Sequence, residues 1–104
     1  MSKEFCQVII SATSEKEAKL ISKILIKRKL IAGSLIIKGP SIYWWQDEIV
    51  EKMYYNVHAY SLLSKKKEII SEVEKIHQDQ VPVISFSKID GNKSFLEWIK
   101  KYVN

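Results

Sequence analysis

The sequence predicts an α+β sandwich in which strands and helices follow in the order βαββαβα, and three observations carry that prediction. Short runs of branched apolar residues alternate with stretches whose apolar positions recur at three- and four-residue steps. Only Gln46-Asp47-Glu48 separates the second and third strand patterns, which makes them a hairpin. Near its tip that hairpin carries Gly39-Pro40-Ser41-Ile42-Tyr43-Trp44-Trp45, where three large aromatics stand in a row.

Each element has its own local reason. Phe5 to Ala12 holds Val8, Ile9 and Ile10 in a short run, as a buried strand does. Ser14-Glu15-Lys16-Glu17 is a capping box, in which Ser14 accepts from the Glu17 amide while Glu17 reaches back, so a helix starts there. Ala18, Ile21 and Leu25 give that helix its apolar stripe, and Lys27-Arg28-Lys29 suits the negative end of its dipole, with an end near Leu30. Ala32-Gly33 opens the next strand.

Ser34 to Trp45 and Ile49 to Leu63 read as the arms of the hairpin, with a bulge or an edge expected at Gly39-Pro40 because proline offers no amide. A twelve-residue strand reaches roughly 40 Å, so the tip should project beyond a compact body. Successive side chains of a strand face opposite ways, which puts Tyr43 and Trp45 on one face and Trp44 on the other. Both faces then need cover, and a partner, such as another copy of the chain, is expected to supply it.

Ser64 is the expected cap of a second helix built on Ile69, Ile70, Val73 and Ile76 and ended by His77. Lys65 to Lys67 in its first turn oppose the helix dipole. Val81 to Phe86 reads as the fourth strand, Asp90-Gly91-Asn92 as a turn, and Phe95, Leu96, Trp98 and Ile99 as a short amphipathic C-terminal helix. The order is that of a ferredoxin-like βαββαβ sandwich with a long hairpin and an extra C-terminal helix, the helices being expected on one sheet face.

Composition narrows the function classes. The 104 residues suit one domain spanning 1–104, and 46% hydrophobic with 28% charged residues is a globular composition. No apolar run approaches the roughly 20 residues that cross a bilayer, and Met1 to Ile10 lacks the apolar core of a secretory signal, so a cytoplasmic protein is expected. Cys6 is the single cysteine and has no disulfide partner; a small buried hydrophobe is its ordinary role. The net charge of +5 comes from short lysine and arginine clusters of the kind found on solvated helix faces.

With Ser41-Ile42-Tyr43-Trp44-Trp45 in this setting, the chain resembles the CutA family of divalent-cation tolerance proteins. The resemblance runs over nearly the whole length, through Ala32-Gly33, Gly39, His77 with Val81-Pro82, and Gly91-Asn92 followed by Phe95-Leu96-Glu97-Trp98-Ile99. It implies a ferredoxin-like homotrimer whose long hairpins pack on neighbouring subunits, similar to PII-type trimers. It also implies response to divalent metal ions, copper binding in some members, a ligand or protein partner in the inter-subunit clefts, and no enzymatic reaction.

Several polar positions depart from the family pattern. Gly33 stands where a cysteine is common, and Ser11 where some members have another. The pattern His-Pro-Tyr-Glu-x-Pro-Glu becomes His77-Gln78-Asp79-Gln80-Val81-Pro82-Val83, and Trp-Glu-Gly-Lys at the tip becomes Trp45-Gln46-Asp47-Glu48. The Lys-Thr that ends the third strand becomes Tyr60-Ser61. Weak copper affinity is expected, because soft and anionic ligands have gone.

Site residues can be assigned on this basis. His77, Tyr43 and Asp79 are the candidate cleft residues for a ligand, and His77 is the candidate ligand for copper or another divalent metal. Against that, a histidine at a helix C-terminus is also favoured by the dipole alone. Tyr43, Trp44, Trp45, Tyr54 and His58 are the expected oligomer interface. No serine or cysteine nucleophile pairs with His77 and Asp79, and no phosphate loop is present, so no catalytic residue is assigned. The alternative is an RNA-binding module of the same βαββαβ order, although Glu51 to Tyr60 lacks the glycine-rich aromatic motif such a module uses.

Overall fold

The computed structural model describes residues 4–103. Positions 1–3, which enter the argument against a secretory signal, and position 104 lie outside them. The elements are β1 (Phe5–Ile10), α1 (Glu15–Lys27), β2 (Gly33–Trp45), β3 (Glu48–Leu62), a 3₁₀ turn (Leu63–Lys65), α2 (Lys66–Ile76), β4 (Ile84–Ile89) and α3 (Lys93–Tyr102). The sheet has the strand order β2-β3-β1-β4, antiparallel throughout. Each βαβ half places its helix over the sheet, which is the ferredoxin-like arrangement.

Alternation on the strands builds the core. Cys6, Val8 and Ile10 of β1, with Val57 and Ala59 of β3, are fully buried against Ala18, Ile21 and Leu25 of α1 and Ile69 and Val73 of α2. Ser14 caps α1, its Oγ accepting from the Glu17 amide at 3.1 Å. The helix ends earlier than Leu30 because Lys29 turns left-handed, at φ 60°, and the Leu30 amide folds back to the Leu25 carbonyl at 2.9 Å. That closure replaces the last helical hydrogen bonds without a glycine.

α3 corrects the expectation that all helices share one sheet face. Ile99 and Val103 pack on Leu62 with Phe5, Tyr60 and Ile89, residues whose strand parity points away from α1 and α2. The apolar stripe of α3 is as expected; a stripe does not say which layer it meets. Gly33 allows the approach, since a Cβ there would stand 2.8 Å from the Trp98 ring.

The hairpin is regular from Gly33↔Tyr60 to Trp45↔Glu48, so no bulge interrupts Gly39-Pro40. β2 is an edge strand, where a missing amide leaves the ladder with β3 intact. Gln46 and Asp47, at φ 49° and 64°, form the two-residue turn that matches the twist of a tight hairpin. With both arms paired to the tip, the molecule measures 46 × 23 × 21 Å.

Two boundaries differ in α2 and β4. Ser64 makes no cap; it lies in the 3₁₀ turn, and α2 begins behind Lys65 without any side-chain cap. Two of the three lysines opposing the dipole have other partners, Lys66 over the Phe86 ring at 5.7 Å and Lys65 beside Glu68 at 3.8 Å. β4 starts at Ile84 instead of Val81, because Val83 exchanges hydrogen bonds with Ser11 and Val81 faces a cleft.

Candidate functional site

A cleft of about 860 Å³ opens between one face of the hairpin and the loop joining α2 to β4. The hairpin contributes Ser41, Tyr43, Lys52, Tyr54, Asn56 and His58, and the loop contributes Gln78 to Val81 with Val83. Cross-strand register explains the hairpin set. Ile37↔Asn56, Gly39↔Tyr54, Ser41↔Lys52 and Tyr43↔Val50 are opposed pairs and so share a face.

His77 anchors the loop rather than opening into the cleft. Its Nδ1 accepts from the Asp79 amide at 3.0 Å, and its Nε2 lies in short contact with the Ser11 carbonyl. An amide only donates and a carbonyl only accepts, so the ring carries its proton on Nε2 and both nitrogens are engaged. Its side chain is 1% exposed.

Glu17 lies beneath the same loop. Its Oε1 accepts from the Thr13 amide at 2.7 Å and the Thr13 hydroxyl, and its Oε2 accepts from the Gln78 amide at 2.9 Å. The capping-box glutamate therefore reaches Thr13 rather than Ser14. Burial pushes its pKa up, but the Thr13 and Gln78 amides, the nearby His77 ring and the Thr13 hydroxyl together outweigh burial and hold the carboxyl below its ordinary value.

Tyr54 ties the loop to the hairpin. Its hydroxyl donates to Asp79 Oδ2 at 3.0 Å and stands 3.3 Å from the Tyr43 hydroxyl, whose ring meets it edge-on at 5.9 Å. The one phenolic proton of Tyr54 goes to the carboxylate, so Tyr43 donates to the Tyr54 oxygen. Burial, followed by these bonds to Tyr43 and Asp79, pushes the Tyr54 phenol up and keeps it protonated. The structure thus brings Tyr43 and Asp79 together through Tyr54, a link between residues 25 apart that no local pattern announces.

The remaining candidate residues divide by strand parity. Trp45 and His58 point to the cleft side with Tyr43 and Tyr54, whereas Trp44 points to the other side with Ile42 and Ile49, although Trp44 also borders the cleft. Trp44, Ile42 and Ile49 are 72%, 67% and 66% exposed. Among the described residues, no three His, Cys, Asp or Glu side chains gather as a metal-binding group. Cys6 is fully buried, and burial pushes its thiol up to about 11 despite the Ser61 amide. With His77 fully hydrogen-bonded as well, the described residues of one chain do not fit a copper centre.

The antiparallel sheet, the two covering helices, the regular long hairpin and the C-terminal helix define a ferredoxin-like α+β protein of the hairpin-extended kind. The family model for the CutA1 divalent ion tolerance protein matches residues 6–102, and the chain belongs to that family. It is 32% identical over 97 residues to the divalent-cation tolerance protein CutA of Archaeoglobus fulgidus, covering 92% of this chain and 95% of the relative. It is 30% identical over 102 residues to the protein of the same name from Thermus thermophilus, covering 90% and 93%. Among solved structures, the periplasmic divalent cation tolerance protein CutA from A. fulgidus superposes with a TM-score of 0.93 at 31% identity, over 96% of this chain and 99% of that one. CutA1 from Oryza sativa reaches 0.94 over 99% and 96% at 22% identity, a likeness of fold. These relatives are described as tolerance proteins, and the RNA-binding alternative finds no support among them. No helix among the described residues is long and apolar enough to cross a membrane.

Proposed function

We propose that this chain is a non-enzymatic, homotrimeric divalent-cation tolerance protein of one domain, acting in the cytoplasm by binding a ligand or partner in the clefts beside its hairpins. The observation that carries this reading is the hairpin itself. It is paired without a break to its tip, and it exposes Ile42, Trp44 and Ile49, whose strand parity is opposite to that of Tyr43 and Tyr54. Such a ribbon invites aggregation unless a neighbouring copy covers it. Tyr43, Trp45, Tyr54 and His58 on the cleft side border the space in which a ligand would meet the loop.

Family membership supports a role in tolerance of divalent ions, while the side chains argue against tight copper binding by one chain. His77 could take a metal only by giving up the Asp79 amide or the Ser11 carbonyl. Any divalent-ion site in this reading is weak or shared between subunits. The test is sedimentation of the wild type beside Trp44→Lys. A wild type that sediments as an assembly and a variant that falls to single chains support the proposal; an unassembled wild type refutes it.

A further inference from the structure

We propose that the cleft binds a small zwitterion of the α-amino acid class, with its ammonium group at Asp79 and Tyr43 and its carboxylate at Lys52. This deepens, and rests on, the reading of the cleft as a ligand site. The first observation is the direction of the hydrogen-bond chain. Tyr54 gives its proton to Asp79 Oδ2, and Tyr43 gives its own to Tyr54. Both phenolic protons therefore point toward the carboxylate, which leaves the Tyr43 oxygen and Asp79 Oδ1 as acceptors. A ligand group at this end must donate, and a protonated amine does so while answering the charge of the carboxylate.

The second observation is Lys52. It lies on the same hairpin face, with Nζ 5.8 Å from the Tyr54 ring centre, and it forms no ion pair with Asp79. One cation and one anion thus border a single cleft without neutralising each other. A ligand carrying both charges satisfies the two together, which neither a simple anion nor a simple amine does. The same cleft is also lined by Ile37, Tyr43, Trp45, Val50 and Val81, surfaces suited to an apolar or aromatic side chain. A volume of about 860 Å³ holds such a molecule with room for water.

Calorimetric titration of the full chain with L-phenylalanine, 3-phenylpropionate and 2-phenylethylamine tests this. The first probe has both charges, and each of the others lacks one. L-phenylalanine should bind one per chain, at least tenfold more tightly than either analogue. Asp79→Asn, whose amide can donate, should erase the preference over 3-phenylpropionate. Lys52→Gln should erase the preference over 2-phenylethylamine, with thermal melts confirming that both variants fold. Equal binding of the three probes, no L-phenylalanine binding at millimolar concentration, or preferences that survive both substitutions would overturn the proposal. A trimeric mass with no amino-acid binding would leave the assembly standing and remove only this ligand class.

Discussion

His77 holds two backbone groups, the Asp79 amide and the Ser11 carbonyl, and has no ring nitrogen left over. Removing the ring leaves buried polar partners unmet, at a cost of about 1–3 kcal/mol. His77→Ala should therefore lower the thermal midpoint and leave copper binding, measured by calorimetry, as weak as before. Stoichiometric submicromolar copper binding that vanishes in this variant would contradict that account. Glu17 makes a second prediction at the same scale. Its folded-state pKa lies below its unfolded value, so it contributes stability that is present above the ordinary carboxylate range and is lost as pH falls through the lowered pKa. The urea midpoints of wild type and Glu17→Gln should differ near pH 7 and converge toward pH 3. A gap that stays constant across that range would mean the charged form is not what stabilises. Of the residues at the cleft and its loop, Tyr43 and Asp79 in the cleft and His77 behind it can be singled out from local pattern and family resemblance. Tyr54 as the hydrogen-bond link cannot, because its partner is brought to it only by the tertiary fold.

Strand and helix patterns, caps and turns place seven elements in their correct order, and the disagreements have physical causes. Val81 and Val83 look like strand residues because they are apolar, yet one faces the cleft and the other bonds Ser11, while the pairing with β1 begins at Ile84. The apolar stripe of α3 is legible in the sequence, but the layer it meets depends on the parity of Phe5, Tyr60 and Leu62. The glycines of β2 carry a test at this level. Gly33→Ala places a Cβ 2.8 Å from the Trp98 ring, so it should destabilise by about 1–3 kcal/mol through forced repacking. Gly39→Ala meets nothing within 4 Å and has no left-handed backbone to strain. It should be neutral or raise stability by about 0.4–1 kcal/mol, by restricting the unfolded chain. Thermal melts of the two variants, read side by side, decide this; equal losses would mean that α3 does not press on Gly33 as described.

At the scale of the whole molecule, the aromatic stretch is divided between two surfaces. By strand parity Tyr43 and Trp45 point to the cleft, and Trp44, which also borders it, points with Ile42 and Ile49 to the exposed side. The 46 Å length of the chain against widths of 23 and 21 Å shows how much of this ribbon lies along one long axis. Cover for both of its surfaces is the central claim, and the chain's own copies are the proposed source of it. Native mass spectrometry of the wild-type protein tests that claim most directly. The account predicts a species of three chains, each of 12.1 kDa, that persists on dilution. A spectrum dominated by single chains of 12.1 kDa at micromolar concentration would contradict it.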